Sequence, residues 1–158
     1  MKRHNAILLI ITWWAALILT PACGPRPTYA QADDPAKIKV GIVFDIGGKD
    51  DRSFNAAAWN GVHCAETGKL PDGNDCGKTA LPVVVRDTEP GNPVSIEPSL
   101  RAFAERGFDL VIGVGFAQTP LIEKVAKDYP NINFAIVDGF SELPNVAPRS
   151  VRRCVARA

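Results

Sequence analysis

Histidine is nearly missing from this chain of 158 residues: His4 near the start and His63 are the two present. Acid–base or nucleophilic chemistry that needs an imidazole in the body of the protein therefore rests on His63 alone. No G-x-S-x-G elbow accompanies it, which removes the usual frame of a Ser-His-Asp hydrolase. No P-loop lysine motif occurs. Gly113-Val114-Gly115 opens like a dinucleotide fingerprint, but it continues as Phe116-Ala117-Gln118, without the third glycine. The four cysteines form no Cys-x-x-Cys pair, so the common zinc spacings are absent as well. Internal repeats and low-complexity segments are also lacking. Together these absences point away from an enzyme and give no cofactor motif.

Acidic residues are missing from both ends. The first 32 residues carry Lys2, Arg3 and Arg26 and no acid, and Pro148–Ala158 carry four arginines and no acid. Between them, residues 33–147 hold all 17 acids against 11 of the 18 bases. An acidic body excludes a nucleic-acid binder, because neutralising phosphates needs clustered Lys and Arg. What remains is ordinary: 46% hydrophobic and 22% charged residues, in a length that suits one globular domain.

The start of the chain reads as an export signal, residues 1–32. Met1-Lys2-Arg3-His4 is a positive n-region, and Ala6–Leu19 is apolar except for Thr12. That run is too short for a membrane span of roughly 20 residues and fits a signal h-region. Ala30-Gln31-Ala32 offers one cleavage site. Thr20-Pro21-Ala22-Cys23-Gly24 offers another, resembling a lipobox with Cys23 as the lipidated residue, although Leu19 lies one position too far away and Pro21 is unusual. Either cut exports the protein, to the periplasm or to a lipid anchor on the cell membrane.

Export bears on Cys64 and Cys76, which flank a polar, turn-rich segment. In an oxidising compartment they can form a disulfide across a short loop, and two free thiols are the alternative. A metal is disfavoured, since His63 is the only further ligand nearby.

From Lys37 onward short apolar runs alternate with amphipathic stretches. Strands are expected at Ile38–Phe44, Leu81–Val85, Leu110–Val114 and Phe134–Val137. Helices are expected at Ser53–Val62, Ser95–Arg106 and Thr119–Tyr129, with Ser53 and Thr119 as N-caps and Pro120 at N1. Continuous apolar strands alternating with helices imply an α/β fold, a parallel sheet with helices on both faces. Such sheets bind ligands beyond the carboxyl ends of their strands. The residues expected there are Asp45 to Asn55 after the first strand, Gly115 to Gln118 after the third, and Asp138-Gly139 after the fourth. Phe54 and Phe116 read either as core rings or as ligand-facing rings. Asp45, Asp50 and Asp51 are oxygen donors that could hold Mg²⁺, but the expected duty of such a cluster is helix capping in a solvated loop.

Val40–Gly61 (VGIVFDIGGKDDRSFNAAAWNG) resembles the D-x-G-G-x-x-D-x-S-F-N signature of the Bmp/PnrA basic membrane lipoproteins, substrate-binding proteins of ABC importers. Gly107–Gly139 is similar to the same family's strand-helix-strand block ending in Asp. The likeness covers residues 37–147, and 33–147 is expected to be the N-terminal lobe of such a protein. The resemblance implies a type I periplasmic-binding fold that closes two lobes on a purine nucleoside and delivers it to ABC permease and ATPase subunits. By the same resemblance, Asp45 and Asp138 would hydrogen-bond the ligand, Phe54 would stack on the base, and Asn55 and Phe116 would line the cleft. His63–Thr79 is longer and more polar than the family pattern suggests and is expected as a surface loop.

The resemblance also implies a second lobe in a chain about twice as long. Pro148–Ala158 has no apolar period and reads as an out-of-frame or truncated end, which would leave a sheet edge and apolar surface near Val137 and Val146. Other functions compatible with the sequence are a flavin or aromatic vitamin as the ligand, an exported α/β enzyme, and a surface antigen without a small ligand.

Overall fold

The computed structural model describes residues 34–149. The leader with Cys23, the cleavage sites, and the basic tail beyond Arg149 lie outside the described residues.

Five strands build one sheet: β1 (Ile38–Val43), β2 (Val83–Thr88), β3 (Leu110–Val114), β4 (Asn133–Val137) and β5 (Val146–Arg149). Three helices connect them: α1 (Phe54–Thr67), α2 (Ile96–Glu105) and α3 (Thr119–Asp128). Every pairing is parallel and the order across the sheet is β2-β1-β3-β4-β5. The strands are Val- and Ile-rich because both faces are covered. On one face Val43, Val111, Phe134 and Ile136 meet Leu100 and Phe103 of α2 and Ile122 and Val125 of α3. On the other, Ile42, Phe44 and Val85 meet Trp59 and Val62 of α1. The expected α/β architecture is therefore what the chain adopts.

Four local expectations need correction. Helix α1 runs five residues past Val62, because Ala65 continues its apolar stripe and the Glu66 carboxylate accepts the outward Val85 N–H of β2 at 3.0 Å. The first five residues of the segment expected as a surface loop, His63–Thr67, are therefore helical. Strand β2 starts two residues later than expected and ends at Thr88, three residues beyond Val85. Its outer side is a sheet edge, so polar Arg86 and Asp87 are tolerated in it. Ser53 makes no side-chain cap bond, and α3 is capped at Gln118, so Thr119 and Pro120 are its first two residues rather than its N-cap and N1. Finally, β5 pairs with β4 through Arg149 and leaves Val146 only 4% exposed, so the apolar surface expected at Val146 does not form, and the sheet edge lies one strand further out, on β5. Pro148 hides this strand from a pattern reading, yet an edge position accepts proline.

Cys64, in α1, and Cys76 are disulfide-bonded, closing the polar loop against the helix. His63 belongs to the same assembly. Its Nδ1 donates to the Lys69 carbonyl at 2.9 Å and its ring lies 5.4 Å from Trp59. Opening a loop of this length should cost about 3 kcal/mol in a chain-entropy account. The Cys64→Ser/Cys76→Ser pair is expected to lower the urea midpoint accordingly, and reductant should lower that of the wild type but not of the variant.

Candidate functional site

In the strand order found here, β1 and β3 are the neighbours from which the chain turns outward in opposite directions, and a crevice opens there beyond their carboxyl ends. Asp45 follows β1 and Phe116 follows β3, so two of the residues singled out by sequence flank that crevice. Asp138 follows β4, the next strand across.

Asp45 is fixed by its surroundings. Its backbone N–H donates to the Asn55 side-chain oxygen at 3.1 Å, and the Asn55 amide donates back to the Asp45 carbonyl at 3.4 Å. Its own Oδ1 accepts the Ile46 N–H at 2.8 Å, leaving Oδ2 toward Gly115. Gly115 has φ +100, and a Cβ there would stand 3.3 Å from that oxygen. The first residue after β3 thus suits glycine on two counts, backbone conformation and room for the carboxylate.

Asn55 is 1% exposed. The expectation that it lines the cleft is therefore corrected: it stands behind Asp45 and holds it. Gln118 is corrected in the same sense. It is fully buried, and its amide donates to the carbonyls of Val43 at 3.3 Å and Val114 at 2.9 Å, tying the ends of β1 and β3 together.

The aromatic residues face outward. Phe54 is 46% exposed and Phe116 is 72% exposed, which excludes the core-ring reading for both. Among the described residues neither ring stacks on another. Phe140, two residues after Asp138, is also exposed, at 58%. Sequence reading missed it; the signal available was an aromatic residue directly after the Asp138-Gly139 turn. Asp138 itself adopts φ 62, a left-handed backbone that Asp tolerates better than most residues. It is half-buried, and its carboxylate has no hydrogen-bond partner among the described residues. Strain of this kind clusters at binding sites.

The start of α1 is capped from outside the helix. Asp51 accepts the backbone N–H groups of Ser53 at 2.7 Å, Asn55 at 3.1 Å and Ala56 at 3.1 Å. Its burial alone would raise the carboxyl pKa, but the three donors together outweigh that and hold it below the ordinary 3.8. Capping is the duty expected for this cluster. A hollow of about 540 Å³ is lined by Lys49, Arg52, Trp59, Pro71 and Glu89, and does not include Asp45, Phe116 or Asp138.

The fold is an open parallel sheet in which Asp45, Phe116 and Asp138 follow three neighbouring strands and Phe54 opens α1. Comparison with known proteins agrees. The family model of PnrA-like ABC transporter substrate-binding proteins matches residues 38–151, and the chain belongs to that family. The match runs past Ala147, where the sequence likeness was expected to stop. The chain is 32% identical over 153 residues to an uncharacterised lipoprotein of Pyrococcus horikoshii, covering 96% of this chain and 34% of that protein. It is 30% identical over 141 residues to a CD4+ T-cell-stimulating antigen of Listeria innocua, covering 87% and 38%. The ABC transporter nucleoside-binding protein BmpA of Lactococcus lactis is 29% identical over 102 residues, covering 64% and 26%. A solute-binding protein of an ABC transporter system from Aeropyrum pernix superposes with a TM-score of 0.55 at 33% identity, over 70% of this chain and 28% of that one. The chain thus spans under two fifths of the length of the curated relatives it matches. The family is one of solute-binding proteins and not of enzymes.

The Asp51 cap gives a pH prediction. A carboxylate whose folded pKa is depressed adds stability above its unfolded value, and that stability is lost as pH falls through the folded value. Amide exchange of residues 53–56 is therefore expected to stay protected from pH 7 to about 5, and to lose protection below 3.8. In Asp51→Ala the protection should be weak across that whole range.

Proposed function

We propose that this chain forms the first lobe of an ABC-importer solute-binding protein and presents one half of a purine nucleoside site. The observation that carries the reading is the rim itself. Asp45 is held by Asn55 against Gly115, Asp138 has an unpartnered carboxylate, and Phe54 at the start of α1 and Phe116 just after β3 are exposed. A purine fits this chemistry. Its π face stacks on an aromatic ring for about 1–3 kcal/mol per base. Its ring N–H and amino groups donate to carboxylates, which accept without needing a proton of their own. Relatives support the reading, since one of them is named a nucleoside-binding protein.

In the same proposal the leader exports the chain and Cys23 carries its lipid anchor, as the lipoprotein name of another relative suggests. The permease and ATPase subunits of an importer are its partners. His63 is engaged by the disulfide loop, away from the rim, which argues against the exported-enzyme reading.

The described lobe offers its rings and carboxylates from one side of a ligand. Removing a second stacking face forfeits about 1–3 kcal/mol, so binding by this chain is expected to be weak. Titration of the exported chain with adenosine, guanosine, inosine and riboflavin, followed by amide NMR shifts, tests this. Purine nucleosides should shift residues 45–55, 115–118 and 138–140 and saturate only in the millimolar range. Saturation by riboflavin alone would move the assignment to a flavin, and micromolar affinity for any of them would refute the half-site reading. Phe54→Ala and Phe116→Ala should abolish the shifts while changing stability by no more than about 0.5 kcal/mol, as at other exposed sites. Asn55→Ala should instead destabilise by about 1–3 kcal/mol, because it orphans the Asp45 N–H.

A further inference from the structure

The loop between β1 and α1 carries Asp45 and leads directly into Phe54, the first residue of α1, and a connection of this length has many conformations open to it. Its middle is tied to the neighbouring strand. The Lys49 backbone N–H donates to Glu89 Oε2 at 3.0 Å. The Lys49 ammonium meets Asp87 Oδ2 at 2.6 Å and Glu89 Oε1 at 3.1 Å, the one at the end of β2 and the other just after it. The same ammonium sits 4.7 Å above the centre of the Trp59 ring of α1, a cation–π contact. Gly48 fits the arrangement. Its φ is +63, and a Cβ there would stand 2.5 Å from Glu89 Oε2, the oxygen that takes the Lys49 N–H. Backbone, ammonium and ring contacts thus converge on one residue that has no place at the β1/β3 crevice.

We infer that Lys49 is a positioning residue, which latches the Asp45–Phe54 loop to the end of β2 through Glu89 and Asp87 and so keeps it in its ligand-ready form. The inference rests on reading Asp45 and Phe54 as ligand groups. The latch acts by limiting the loop's freedom before a ligand arrives, so that less order has to be imposed on binding.

Lys49→Met keeps the aliphatic stem and the N–H and removes the charge, while Glu89→Gln keeps an acceptor for that N–H and removes the charge on the other side. Hydrogen exchange on the full chain without ligand is the deciding readout. Amides 46–52 should exchange about tenfold faster in both variants, the scale of one lost charge-assisted hydrogen bond. Amides of β3 and α3 should be unchanged, which separates a loosened loop from a destabilised fold. Lys49→Arg should restore most of the protection. Unchanged exchange at 46–52 in both variants overturns the latch, as does faster exchange spread evenly through the sheet. A guanosine titration runs beside it, with about tenfold weaker binding expected in both variants. Weaker binding without faster exchange would make Lys49 a ligand contact and overturn the positioning role. If the wild-type chain shows no nucleoside shifts, the nucleoside reading fails, and the exchange comparison still decides the latch.

Discussion

The junction between β1 and β3 is the point on which the rest of the structure depends, and one buried amide holds it. Gln118 donates to the last carbonyl of β1 and the last carbonyl of β3, so the two strands that diverge in connectivity are joined where they end. Its oxygen, which faces Gly113, has no donor among the described residues. A buried acceptor left unmade costs about 1–3 kcal/mol, so the amide is retained for what its N–H groups do. They tie the carboxyl ends of β1 and β3 together. Asp45 follows one of these strands and Gly115 the other, with room for the Asp45 carboxylate because Gly115 has no Cβ.

Around that junction the residues separate into those that hold and those that face outward. Asn55, Gln118 and Asp51 spend their polar atoms on backbone groups. Phe54, Phe116 and Phe140 leave large parts of their rings exposed. An exposed ring forfeits about 1.5–3 kcal/mol of burial it would have gained in a core. Three such rings at the ends of one sheet are hard to justify by stability. Asn55 and Gln118 are buried, and Asp51 is tied to three backbone N–H groups, which is the division expected where polar contacts preorganise groups meant for a ligand.

This division also explains how much the sequence revealed. The parallel sheet was legible because buried strands must be continuously apolar, as in Leu110–Val114, and the order of strands then placed Asp45, Phe116 and Asp138 at one rim. What was not legible depended on contacts distant in sequence. Nothing local distinguishes Asn55, which turns its amide back to Asp45, from Phe54 beside it, which points outward; only the entry geometry of α1 decides. The extension of that helix to Thr67 depends on Glu66 finding an unpaired N–H on β2, nineteen positions away. Strand β5 was hidden because a four-residue edge strand containing proline has no periodic signature, and its only claim to order is the partner it covers.

The hidden strand in turn bears on how the lobe stands by itself. The two N–H groups of the Asn145 amide are shared among the carbonyls of Ala126, Tyr129 and Ile132 at 3.0–3.3 Å, the first two at the carboxyl end of α3 where the helix lacks internal partners. Its own carbonyl accepts the Phe134 N–H, and Val146 follows directly into the core. One side chain therefore closes a helix end, opens the last strand and seals the sheet beyond β4. At the opposite edge, the outward groups of β2 are met by Glu66, by Arg86 bonding the Val85 carbonyl, and by the Leu81 carbonyl. Unpaired edges invite association through their free N–H and C=O groups. Side chains and the preceding loop meet part of that β2 edge, and β5 is a short edge strand of four residues.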